Sequence, residues 1–292
     1  MRINKQWYWL LAAGLGILWL TACTSPRAVK NVQLTNKCSP LMWEPQATGS
    51  KPSQLPADLT SRLDARLLRA VQYLNLSDSL LAYLQNRDQA LFTYLSQCIH
   101  LASLQVSAMA AALDCEEEVA DQLAGILQKQ TDKRETRLTA AAISIGATGA
   151  LGSALLLGNG NWPEIVGIST AITEVGLAAL LFRNKQITWF EHEVNYLIEL
   201  KSGRQSPSLY PDAVWEYLNA TDSSGQSRID YLLNGWDLSD EALYFGSGAF
   251  YNADQLRYRA EMHDQLEAQL SLMKQELMLL LEAILFNQWQ ND

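Results

Sequence analysis

The run LTAAAISIGATGALGSALLLG (138–158), the turn NGNWPE (159–164) and the return IVGISTAITEVGLAALLF (165–182) decide how this chain is read. The first segment carries no charge. Two apolar segments of about twenty residues joined by Asn, Gly and Pro predict a helical hairpin. Each arm is about long enough to cross the hydrocarbon core of a bilayer. Ala142, Gly146, Ala150, Ala154 and Gly158 recur every fourth residue, and Gly167 and Ala171 open a similar stripe on the return. Small residues at that spacing let two helices approach closely. Glycine costs about 1 kcal/mol against alanine inside a helix, so a stripe of them implies that packing offsets the cost.

Two environments suit such a hairpin. Seven strongly apolar side chains in the first arm favour membrane insertion by about 2–4 kcal/mol, while Glu174 in the second arm costs about 3 kcal/mol. The balance leaves a bilayer span and the core of a helical bundle both open. Lys133, Arg134 and Arg137 precede the hairpin, Arg183 and Lys185 follow it, and the turn has no base. In an inner-membrane span, those basic feet would face the cytoplasm.

The N-terminus argues for export. Arg2 and Lys5 precede an apolar run from Trp7 to Leu20, and a small-residue site follows, the layout of a secretory signal. The tetrapeptide Leu20-Thr21-Ala22-Cys23 resembles the lipobox of bacterial lipoproteins. That resemblance covers the signal peptide alone and implies cleavage before Cys23, which would take a diacylglycerol and an amide-linked acyl chain such as palmitate. Thr24, in place of an inner-membrane retention Asp, implies sorting to the outer membrane. Two or more chains give stable anchoring where one is marginal. The two topologies then conflict, because the basic feet point inward and the signal sends the body outward.

The formal charge of −9 becomes −11 once Arg2 and Lys5 leave with the signal. That acidity argues against nucleic acid. With Cys23 lipidated, Cys38, Cys98 and Cys115 remain. Cys98 and Cys115 are about 25 Å apart along a continuous helix, beyond the roughly 7 Å a disulfide tolerates. Cys38 is therefore expected to pair with one of them. No CxxC or Cys–His spacing points to a metal, and no cofactor motif occurs.

Residues 23–57 read as a tether, with Cys38–Trp43 as a patch that docks on the body. From 58 to 137 the pattern is helical: Leu63, Leu67, Ala70 and Leu74 share one face. A break is expected at Asn75–Ser79 with Ser77 or Asp78 as cap, and a further one is open at Asp114, before Glu116–Glu118. Otherwise the helix runs into the 138–182 hairpin. In 183–292, Arg183–Lys201 is expected to be helical, Ser202–Pro211 a loop, and Gly235–Tyr251 an aromatic loop. The last helix is the clearest, with Leu266, Leu270, Met273, Leu277, Leu280 and Ile284 in heptad steps suited to coiled-coil packing. No strand-like alternation of useful length is apparent.

Of the three histidines, His192 lies between two glutamates that point elsewhere on a helix, and His100 has no acid near it in sequence. His263, beside Glu261, Asp264 and Glu267, is expected to form a solvated ion pair. The sequence thus predicts an all-α, elongated bundle of long antiparallel helices carrying a Gly/Ala-rich hydrophobic hairpin. Its expected role is non-enzymatic: a structural or interaction module lipid-anchored in the cell envelope, with a protein partner or a second copy. The alternative is membrane insertion, since long helices leading into an apolar hairpin resemble the layout of α-helical pore-forming toxins.

Overall fold

The computed structural model describes residues 38, 41–43, 56–155, 186–192, 194–222 and 224–286, with side chains along its longest helix essentially to Ser144. Gly146, Ala150 and Ala154 lie on described helical backbone. Gly158, Gly167, Ala171, Glu174 and Cys23 lie outside the described residues. The described residues fall into two compact units, one holding 123–155, 186–189 and 250–254, the other 38–122, 190–249 and 255–286.

They are predominantly helical. Three short helices come first: α1 (Ala57–Arg62), α2 (Ala65–Tyr73) and α3 (Ser77–Asn86). The apolar face read across Leu63–Leu74 breaks at Leu63, because the Asp64 carboxylate accepts the N–H groups of Arg66 and Leu67 at 2.8 and 2.9 Å and starts α2 afresh. Asn75 and Arg87, at φ 53° and 54°, turn the chain left-handed after α2 and α3. The anticipated break at Asn75 is present, but Leu76 stands at the cap and Ser77 is the first helical residue.

Helix α4 (Gln89–Leu155) then runs 67 residues without interruption, past Asp114 and into the Gly/Ala segment. Leu95, Ile99, Ala102, Val106, Met109, Leu113, Ala120, Leu123 and Leu127 are buried along it. Their steps of three and four are heptad spacing, with Glu116 filling the place between Leu113 and Ala120.

The stretch anticipated as helix at Arg183–Lys201 is instead strand β1 (Thr188–Glu191), followed by a short helix α5 (Tyr196–Ser202). Thr188 and Phe190 are buried while Trp189 and Glu191 are exposed, the alternation of a half-buried strand. Four residues are too few for that alternation to stand out in a sequence, and the partner strand lies far along the chain. Helices α6 (Asp212–Asn219), α7 (Arg228–Gly235) and α8 (Glu241–Phe245) precede that partner, β2 (Gly248–Tyr251), which pairs with β1 in a two-stranded sheet. The segment expected as a loop at Gly235–Tyr251 thus holds a helical turn and a strand. Ser227 and Asp230 form a reciprocal capping box for α7.

Helix α9 (Ala253–Phe286) closes the described chain. Leu266, Leu270, Met273, Leu277, Leu280 and Ile284 are all at most 1% exposed. Each such side chain contributes about 1.5–3 kcal/mol on burial.

The N-terminal patch is fastened by a disulfide and by hydrogen bonds, among them one between Tyr196 and the Leu41 backbone. Cys38 is disulfide-bonded to Cys115 on α4, with a Cα–Cα distance of 5.8 Å. Trp43 exchanges backbone hydrogen bonds with Ser208 at 2.7 and 2.8 Å. The buried Glu199 carboxylate fixes the receiving loop by accepting the Ser208 hydroxyl and the Leu209 N–H, each at 2.8 Å.

Candidate functional site: two buried polar centres and exposed apolar stripes

Continuing the heptad of α9 backwards from Leu266 gives His263 and Arg259, and both are fully buried. His263 is therefore no solvated ion pair. Its neighbours in sequence are acidic, but its own register places it inward. Arg259 Nη1 donates to the Tyr244 carbonyl at 3.0 Å, and Nη2 lies 3.4 Å from Asn195 Oδ1. Asn195 Nδ2 donates to the carbonyls of Tyr244 and Gly246, both at 2.9 Å. His192 packs edge-on against Phe190, and its backbone N–H donates to the Ser247 carbonyl at 3.0 Å.

Among the described residues neither ring nitrogen of His263 has a hydrogen-bond partner. Burial, then the Arg259 charge, then His192 hold its pKa well below the usual imidazole value. The same burial, with Arg259, lowers His192 to about 3 against the opposing effect of a hydrogen bond to the Leu243 backbone. This buried centre, two neutral imidazoles around the Arg259 cation, clamps the end of β1, the start of α5, the α8–β2 connection and α9.

A second centre gathers four helices around Glu276. Arg69 on α2 and Arg228 at the start of α7 approach the same oxygen, Glu276 Oε1, at 3.0 and 3.7 Å. Tyr73 and Tyr217 meet edge-to-face at 5.3 Å, and the Arg228 guanidinium lies 3.8 Å from the Tyr217 ring centroid. Burial above all pushes the Tyr217 phenol up to about 12 and raises Tyr73 as well.

Asp114 and Glu117 on α4 and Glu267 on α9 bring one carboxylate oxygen each within 4.8 Å of one another. Burial first, then the neighbouring acids, raise the pKa values of Glu117 and Glu267. Among the described residues this is the one set with spacing for a divalent cation. Asp114 is exposed, so water would have to complete any coordination shell. Glu116, in the acidic run noticed in the sequence, points to the core instead.

The outer surfaces are less polar than the charge total implies. On α9, Leu272, Met278, Leu279, Leu285 and Phe286 are 40–69% exposed, on the side away from the heptad core. On α4, Tyr94, Leu101 and Leu104 are 49–68% exposed. From Gln128 to Ser144, α4 has no buried side chain, and Ile143 is 67% exposed. Among the described residues α4 is the one helix long and apolar enough to cross a membrane by length and composition.

No family model, curated protein or solved structure matches the chain. Of the three cysteines that follow Cys23, Cys38 and Cys115 are joined and Cys98 is a free, half-buried thiol.

Proposed function

We propose that the chain is a lipid-anchored envelope protein that works as a non-enzymatic interaction module, held through Cys23 at the outer membrane and facing the periplasm. In this reading α4 and α9 run antiparallel as the seam of a bundle, consistent with their matching heptads and the approach of Asp114 and Glu117 to Glu267. The observation that carries the reading is the exposed row Leu272, Met278, Leu279, Leu285 and Phe286. Five large apolar side chains exposed on one side of a helix suit a protein-contact surface.

In-cell crosslinking tests it. The wild type should yield one stable adduct, with a partner or a second copy, and Leu279→Ser with Phe286→Ser should lose it while remaining folded. A solitary wild-type species would overturn the reading.

Membrane insertion by residues 138–182 is a second reading, favoured by the unbroken passage of α4 into the Gly/Ala segment with no buried side chain from Gln128 to Ser144. It expects vesicle leakage that disappears on deletion of 138–182.

A further inference from the structure

The β1–β2 ribbon has one covered face and one bare one. Thr188, Phe190 and Tyr251 are buried, at 3, 7 and 0% exposure. On the other face Trp189 and Phe250 are 55 and 51% exposed and pack edge-to-face at 5.2 Å between ring centroids. Cross-strand aromatic pairs stabilise a short ribbon. Such a pair does not explain why both rings should remain half in water, where Thr or Tyr would cost less.

Position along the chain supplies the occupant. Trp189 follows Phe182, the last residue of the apolar hairpin, by seven residues, and Lys185 by four. Seven residues reach at most about 24 Å and four about 14 Å. The basic pair Arg183 and Lys185 falls in that interval of sequence, with charge complementary to phosphate headgroups. Tryptophan is favoured at the membrane–water boundary because its ring is apolar while its N–H remains hydrated.

We infer that the Trp189/Phe250 face of the ribbon docks on the phospholipid headgroup interface. This rests on the lipid-anchored reading, which brings the ribbon to a membrane, and adds a second point of contact. Glu191, two residues beyond Trp189, is exposed on the same face.

The test uses the full lipidated chain in vesicles of phosphatidylethanolamine with a minority of phosphatidylglycerol, carrying bromine on the upper acyl carbons as a short-range quencher. Cleavage before Cys23 removes Trp7, Trp9 and Trp19, so Trp189 is one of six tryptophans. The wild type should be quenched more than Trp189→Phe by the share of that one residue. Phe250→Ser should lower quenching of Trp189 while the protein stays folded and floats with the vesicles. Equal quenching of wild type and Trp189→Phe, with both floating alongside the vesicles, overturns the docking face and leaves the anchor standing. A wild type that does not float overturns the anchor and the docking face together.

Discussion

His263 follows Arg259 by one turn of α9, and both side chains are withdrawn from water. Burial first, and then the fixed cation beside them, keep both the His263 imidazole and that of His192 neutral. Both folded-state pKa values therefore lie below the unfolded value of 6.5. Between about pH 3 and 6.5 the unfolded chain binds more protons, so stability is lost as pH falls through that window. For His192 alone the loss by pH 4.5 is about 3 kcal/mol. Urea unfolding followed by far-UV dichroism at pH 7 and 4.5 measures it. His263→Leu should flatten the pH dependence while changing stability at pH 7 by less than about 1.5 kcal/mol, as a volume-conserving exchange. Parallel pH curves for the two proteins would contradict this account.

The Glu276 centre predicts an asymmetry between its partners. Its side chain is 9% exposed and serves two guanidinium groups, whereas that of Arg69 is 34% exposed. Glu276→Ala strands cations inside the junction and should cost about 3 kcal/mol or more. Arg69→Ala removes a bridge already wet on one side and should cost about 1 kcal/mol or less. Chemical denaturation of the two variants checks the order. Equal losses would mean that the carboxylate is not the hub.

Much of the helical architecture was legible because it rests on one rule repeated many times. The six apolar steps from Leu266 to Ile284 name a helix and its buried face without help from the rest of the chain. What escaped depends on distant partners or on a single side chain. The strand Thr188–Glu191 acquires its meaning only beside Gly248–Tyr251, and Asp64 splits a plausible apolar face through two hydrogen bonds. The Arg259–His263 centre was concealed for a different reason. Local charge around His263 suggested solvent, although the heptad continued backwards from Leu266 places both residues inside. Register outweighed composition there.

The disulfide gives a separable prediction. Cys38 and Cys115 close a loop with a sequence separation of 77, for which the chain-entropy model gives about 4.5 kcal/mol. Cys115→Ser should lower the thermal midpoint and expose the Cys38–Trp43 patch to limited proteolysis, because only hydrogen bonds, the Trp43–Ser208 backbone pair and that of Tyr196 to the Leu41 backbone, then hold it. Cys98→Ser, at the free thiol, should leave the gel shift between oxidised and reduced protein unchanged. Loss of that shift in Cys98→Ser would reassign the pairing.

Two glycines should respond to the same substitution with opposite sign. Gly125 lies within α4 with nothing within 4 Å of an added Cβ. Gly125→Ala relieves the entropic cost of glycine in a helix and should stabilise by up to about 1 kcal/mol. Gly246 ends α8 where a Cβ would stand 2.8 Å from the Ala242 carbonyl oxygen. That contact is with backbone, which cannot swing aside as a flexible side chain would. The Gly246 carbonyl also accepts from Asn195, which in turn meets Arg259. Gly246→Ala should therefore disturb the histidine centre as well as the turn, at a cost of about 1–3 kcal/mol. If the α8–β2 connection and the His192–His263 centre are one mechanical unit, Gly246→Ala should also make the loss of stability between pH 7 and 4.5 smaller, because a loosened centre hydrates its imidazoles and raises their pKa values towards 6.5. A uniform loss of stability at both pH values would separate the turn from the centre.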